Sequence, residues 1–167
     1  MCVFRLTKWA MLVIALVTST IAQANQFNLY ASGIMGAESA IFSVDQGTGT
    51  ATFLSPFFSG DAGIDASPSG TIYGAWGSTL ATYNPLNNTT SSITDNLPDF
   101  MTSVSFTPDG RLYALNAAPT GSAQSLYEIN PNTGAMISGR FLSGGLGFIS
   151  GIEFSSNGLL YALGDYL

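Results

Sequence analysis

The residues best placed to do chemistry are Asp65, Ser105 and Glu153. They hold the same position in three stretches of matching frame, IDASPSGTIYGAW from Ile64, VSFTPDGRLYALN from Val104 and IEFSSNGLLYALG from Ile152. Carboxylates brought together in such a row could hold a cation or act as acid and base in hydrolysis or elimination. The stronger expectation is plainer: polar side chains that are solvated or bonded to backbone. Asp61 and Asp65 stand four apart across a glycine turn, but no D-x-D-x-D-G loop surrounds them, so calcium binding is a secondary reading. Asn87-Asn88-Thr89-Thr90 contains two overlapping N-x-T sequons, meaningful where exported proteins are glycosylated. Tyr73, Tyr113 and Tyr161 could form an aromatic binding surface, yet their identical placement favours core packing. Asp109 and Asn157 read as turn residues with local hydrogen bonds.

Other chemistries lack their residues. Histidine is absent, which removes the commonest general base and the commonest transition-metal ligand. The single cysteine, Cys2, precedes an apolar run within the first 24 residues, so a chain cleaved after that segment has no thiol. No catalytic, metal or binding residue can be assigned on this basis, and no cofactor is implied.

The elements that must position these residues are short strands. Val104 to Phe106 reads as a strand, Pro108-Asp109-Gly110 as a tight turn and Leu112 to Leu115 as the returning strand. A further strand at Leu126 to Ile129 closes on Asn130-Pro131-Asn132-Thr133-Gly134, where proline presets φ and glycine can take a positive one. In all three stretches the glycine follows the leading aliphatic by six residues and the tyrosine follows three later, giving Gly70/Tyr73, Gly110/Tyr113 and Gly158/Tyr161. A second aligned segment follows each tyrosine where the chain is long enough: IFSVDQGTG from Ile41, LATYNPLNN from Leu80 and LYEINPNTG from Leu126. Leu29-Tyr30-Ala31 is a partial copy of the tyrosine strand. From tyrosine to tyrosine the intervals are 43, 40 and 48 residues, the longest carrying an extra loop from Asn116 to Ser125. Periods in the forties with several short strands each predict β-propeller blades of four antiparallel strands. Runs such as Arg111-Leu112-Tyr113-Ala114-Leu115, apolar on both faces, suit a sheet stacked between two others. Asn84 to Ser92, rich in Asn, Ser and Thr, reads as a connection.

TPDGRLYAL followed by LYEINPNTG resembles the blade repeats of exported β-propellers of the YVTN and NHL-like kind, in which a "PDG-LY" hairpin precedes a strand ending in "D/N-P-x-T-G". The resemblance runs from Leu29 to about Tyr166 and implies architecture rather than activity. Such propellers serve as binding platforms, scaffolds, hydrolases or quinone-dependent dehydrogenases, and no residue set here matches any of their catalytic groups. The family closes rings of about six to eight blades, whereas this sequence encodes roughly three.

The chain has 167 residues, 46% hydrophobic and 8% charged, enough apolar material for one core. Residues 1–24 read as a signal peptide: Arg5 and Lys8 precede an apolar run from Trp9 to Val17, and small residues end in Ala22-Gln23-Ala24. The run is short for a membrane span. Residues 25–167 form the incomplete propeller domain. Cleavage leaves Arg111 and Arg140 against ten acidic residues, a net charge of −8. The expectation is therefore an exported protein, periplasmic or extracellular, with no affinity for nucleic acid or, once cleaved, for membrane. Its partner is expected to be a protein or a glycan, and its function binding or scaffolding. The alternatives are a carboxylate- or calcium-dependent hydrolase or lyase, or a piece of a longer propeller. Counted in this frame, the sequence enters on the second strand of a unit and stops on another second strand. The expectation is an open arc that self-associates through its blade edges, completed by more chain beyond Leu167 or by a second copy in a ring of about seven blades.

Overall fold

The computed structural model describes residues 28–35, 38–57, 63–118, 123–143 and 146–166. The expected leader, Cys2 and Asp61 lie outside these residues. The described residues contain no helix, and therefore none long and apolar enough to cross a membrane.

Thirteen strands follow one another in antiparallel order. The first sheet holds β1 (Leu29–Met35), β2 (Glu38–Val44) and β3 (Ala51–Pro56). The second holds β4 (Gly63–Ala66), β5 (Ile72–Trp76), β6 (Thr79–Asn84) and β7 (Thr89–Thr94). The third repeats it with β8 (Met101–Phe106), β9 (Leu112–Asn116), β10 (Ser125–Ile129) and β11 (Met136–Phe141). The fourth pairs β12 (Leu146–Phe154) with β13 (Leu160–Tyr166). These are propeller blades, with β4, β8 and β12 as adjacent leading strands.

Turn chemistry sets each hairpin. Gly70, Gly110 and Gly158 take φ of 84°, 86° and 80°, which an L side chain adopts only under strain. In the β8–β9 turn the Gly110 N–H donates to the Thr107 carbonyl at 2.9 Å, and Thr107 Oγ1 accepts from the Arg111 N–H at 2.9 Å. The turns after β2, β6 and β10 need a left-handed residue at one equivalent place, supplied by Gly49, Asn88 and Gly134.

Each joint between sheets has its own apolar core. Ile41, Ile72 and Tyr83 fill the first, and Leu115, Ile149 and Ile152 fill the third. The middle joint is the largest, with Leu80, Met101, Val104, Leu112 and Ile129 among its buried members. Full burial of one such side chain contributes about 1.5–3 kcal/mol, so these joints, without a disulfide, carry the stability. The outer strands contribute little, and β11 is exposed along its length. The sequence expectation of a connection from Asn84 to Ser92 is corrected here: the turn is residues 85–88, and Thr89 opens β7.

Candidate functional site along the leading strands

A leading strand is a sheet edge, and every second N–H on it points away from its partner strand. Here the preceding sheet supplies the acceptors. Asp65 Oδ2 on β4 accepts from the Phe106 N–H on β8 at 2.6 Å and from Ser105 Oγ at 3.2 Å. Its other oxygen accepts from the Ala66 N–H at 2.6 Å. One joint further on, Ser105 Oγ accepts from the Phe154 N–H on β12 at 2.9 Å, while Ser103 Oγ accepts from the Ile152 N–H at 3.3 Å. Asp65 and Ser105 thus do the same work in successive repeats. The structure brings the three aligned residues into one row, and the first two are bonded to the next strand's backbone.

Glu153 is the third member and is exposed as a residue, yet its carboxyl end is partly withdrawn from water. Burial, and then the charge of Asp65, hold its pKa above the usual glutamate value, tempered by the Ser105 hydroxyl. Asp65, Thr107, Pro108, Glu153 and Ser155 line an open depression of about 360 Å³ at the turn end of the row. Phe106 and Phe154 also line it. Among the described residues no three His, Cys, Asp or Glu side chains come close enough to hold a metal ion together.

A neighbouring depression of similar size, lined by Arg111, Tyr113, Phe154 and Asn157, carries one of the few cations. Arg111 Nε lies 3.1 Å from Asp109 Oδ2, and Nη1 donates to the Tyr113 hydroxyl at 3.0 Å. That hydroxyl in turn donates to Glu128 Oε2 at 3.2 Å. Both charges of the Arg111–Asp109 pair are solvated, so it adds little to stability. Another depression, of about 430 Å³, lies at the far end of the first sheet around Asp45. There Asp45 accepts from the Gly47 and Thr48 N–H groups and the Thr48 hydroxyl, so its carboxylate serves its own turn. The leading-strand row is the better candidate because two carboxyl groups and aromatic side chains from separate sheets converge on it.

The repeated tyrosines divide. Tyr73 packs edge-on against Phe106 with ring centres 5.0 Å apart, and Tyr113 meets Phe154 at 5.2 Å. Tyr161 has no following sheet among the described residues and is exposed, which corrects the expectation of core packing for that residue. Asp109 and Asn157 sit in turns as expected. Of the two sequon asparagines, Asn88 holds φ of 55° with its Oδ1 accepting from the Tyr83 hydroxyl at 3.0 Å. Asn87 is exposed and accepts from Thr89 Oγ1 at 2.6 Å.

Sequence reasoning passed over Asp99, Asn116 and Gln124. Asp99 Oδ2 accepts from Asn116 Nδ2 at 2.6 Å and from the Tyr127 hydroxyl at 3.2 Å, tying the incoming loop to the third sheet. Asn116 Oδ1 accepts from the Ser125 N–H, and the buried Gln124 reaches across to the fourth sheet. Asp99 and Gln124 lie beyond strand ends, outside the repeat frame, and Asn116 ends β9 at a place where its counterparts are Trp76 and Gly164.

No protein family matches the sequence, and no curated protein does. The fold does have relatives among solved structures. Hydrazine synthase from Kuenenia stuttgartiensis superposes over 78% of this chain with a TM-score of 0.59 and 21% identity. TolB from Acinetobacter baumannii does so over 83% with a TM-score of 0.56 and 16% identity. Both are β-propeller proteins, and the likeness shows the architecture. The chain spans 38% and 35% of their lengths.

Proposed function

We propose that this chain is a β-propeller module of an exported protein, of the YVTN and NHL-like kind, that acts by binding or scaffolding. The supporting observation is how its candidate polar groups are used. Asp65 and Ser105, the residues best placed for chemistry, direct their oxygens at Phe106 and Phe154 N–H groups and at each other. What remains open to a ligand is the turn-lined end of the leading strands, with Glu153, Ser155, Ser156 and the proline turns. A protein loop or a glycan, both rich in hydrogen-bonding groups, suits such a surface.

A photo-crosslinking residue at Ser156 tests this reading in the source cell, with Ser138 on the outer β11 as control. Adducts at Ser156 that are absent at Ser138 support binding at the turn end; equal labelling at both counts against it. Export is tested separately by N-terminal sequencing, expected to start at Asn25, whereas intact Arg5 peptides in the membrane fraction would contradict it. One observation favours a hydrolase or lyase: the raised pKa of Glu153 beside Asp65 suits a general acid. On that reading, Glu153→Gln abolishes turnover of a polysaccharide substrate while the protein stays folded.

A further inference from the structure

We infer, resting on the binding role proposed above, that the two adjoining depressions at the turn end of the leading strands take a neutral oligosaccharide, whose hydroxyls are read by Asp109 and Arg111. The depressions, of about 360 Å³ each, share Thr107, Pro108, Phe154 and Ser156, so they meet as one trough with two compartments. Each lies within the range of small-molecule sites, roughly 300–1,000 Å³. A shared wall between two compartments suits a ligand of linked rings.

The repeat itself singles out Asp109 and Arg111. Every one of these hairpins needs its left-handed glycine, but the residues flanking that glycine differ: Ser69 and Thr71 after β4, Asn157 and Leu159 after β12. Only the β8–β9 hairpin places a carboxylate and a guanidinium there, 3.1 Å apart and both open to water. The other hairpins close without such a pair, and a solvated pair adds little to stability, so the fold does not account for it. It sets an acceptor beside a donor fork. Neighbouring hydroxyls on a sugar ring both donate and accept, so one can donate to the Asp109 carboxylate while the next accepts from Arg111. The Arg111 Nε and Nη1 groups serve Asp109 and Tyr113, which leaves Nη2 for a ligand. Asn157 Oδ1 accepts from the Ser155 hydroxyl and the Leu159 N–H, which leaves its Nδ2 to donate in the same compartment.

What separates a glycan from a protein loop is the lack of apolar anchors. The centre of a protein interface is built on large apolar or aromatic side chains that fill pockets. Of the large hydrophobic side chains exposed among the described residues, none lines either compartment. Phe106 is buried, and Phe154 leans on the Tyr113 ring. Charge narrows the class further, since Asp65, Asp109 and Glu153 line the trough against the single guanidinium of Arg111. Uronic and sulfated glycans are repelled by that balance, and neutral ones are not.

Calorimetric titration of the exported protein with cello-, laminari-, xylo-, manno- and chitohexaose tests the inference. At least one is expected to bind with a Kd of about 1 mM or tighter. Binding should be equal in about 0.05 M and about 0.5 M NaCl, because the ligand carries no charge. Arg111→Gln and Asp109→Asn should each weaken it about tenfold or more while the melting temperature stays near that of the wild type. Arg140→Gln, on the outer β11, should bind as the wild type does. If Arg111→Gln disturbs the fold, Ser156→Trp replaces it; filling the wall that both compartments share should abolish binding. Silence from every one of these sugars overturns the inference, as does binding that survives loss of the Asp109–Arg111 pair or weakens with salt. Protein adducts at Ser156 without sugar binding would overturn it and spare the binding role, whereas neither adducts nor sugar binding would overturn both.

Discussion

The Gln124 carboxamide lies against the backbone of Ile149 as a peptide unit would: Nε2 donates to the Ile149 carbonyl at 2.9 Å, and Oε1 accepts from the Ile149 N–H at 2.5 Å. One repeat earlier the same position is Met101, and there the partner is a true peptide. The Gly77 N–H donates to the Met101 carbonyl at 3.0 Å, and the Met101 N–H donates to the Gly77 carbonyl at 2.8 Å. The loop inserted after Asn116 carries the backbone away from this place, and a side chain takes it over.

Gln124→Ala leaves the Ile149 N–H and carbonyl without these bonds in a buried site, and also removes a 2.8 Å bond to the Asn116 carbonyl. Unfolding by urea should show a loss of at least about 2 kcal/mol. Gln124→Glu keeps the acceptor but loses the donor and buries a charge, so it should be no milder at neutral pH. A glutamate variant as stable as the wild type would refute the peptide-like role.

Asp65→Ala should cost about 1–3 kcal/mol by leaving the Phe106 N–H unpaired. Asp65→Asn retains an oxygen that can accept from that N–H and should lose less than half as much. Equal losses for the two variants in thermal melts would show that charge, not the bond to Phe106, is what matters.

Gly63 and Gly151 hold equivalent places on leading strands but have different surroundings. A Cβ on Gly63 would lie 2.6 Å from Ser103 Cα and 2.8 Å from the Thr102 carbonyl, both backbone, whereas one on Gly151 would meet nothing within 4 Å. Gly63→Ala should therefore destabilise by about 1–3 kcal/mol. Gly151→Ala should be neutral or stabilise by up to about 1 kcal/mol. The order of the two midpoints in guanidinium decides the matter.

Space is no obstacle at Gly110, where the nearest atom to an added Cβ is Pro68 Cγ at 3.8 Å. Any penalty there is backbone strain, about 1–3 kcal/mol for Gly110→Val. Gly110→Asn should be gentler, since Asn88 already occupies the left-handed region in this chain. Asp109→Ala removes an exposed, solvated ion pair and should lower the melting temperature less than Gly110→Val does. A melting temperature lowered as much by Asp109→Ala as by Gly110→Val would contradict this account of the turn.

The raised pKa of Glu153 means that the folded chain holds a proton there more tightly than the unfolded chain does. Stability from this group is thus greatest below the ordinary glutamate range and falls as pH rises from that range through the raised value. Glu153→Gln should melt higher than the wild type at pH 7, and the gap should close below about pH 4. A gap independent of pH would assign the effect to packing.

The hairpins were legible because their requirements are local. A left-handed residue six places after an aliphatic and three before a tyrosine recurs at Gly70, Gly110 and Gly158, and each has the expected φ. The strands buried on both faces were legible as apolar runs. The outer strands were not, because β7, with sequence TTSSIT, faces water over most of its length and shows no apolar alternation. Alignment placed Asp65, Ser105 and Glu153 in register but said nothing of what their oxygens would meet, since the Phe106 and Phe154 N–H groups become available only when leading strands adjoin. Gln124 was hidden for the opposite reason: its bond to Ile149 exists because the repeat is interrupted there.

The Phe106, Ile152 and Phe154 amides are held by side chains of the preceding sheet and not by ladder partners, so they report on the joints and not on the sheets. In hydrogen exchange they separate two kinds of opening that the ladder amides merge. Detachment of the fourth sheet as a unit would release Ile152 and Phe154 while the amides paired between β12 and β13 stay protected. Release of the Phe106 amide would in the same way report the joint between the second and third sheets, so each joint can be followed on its own.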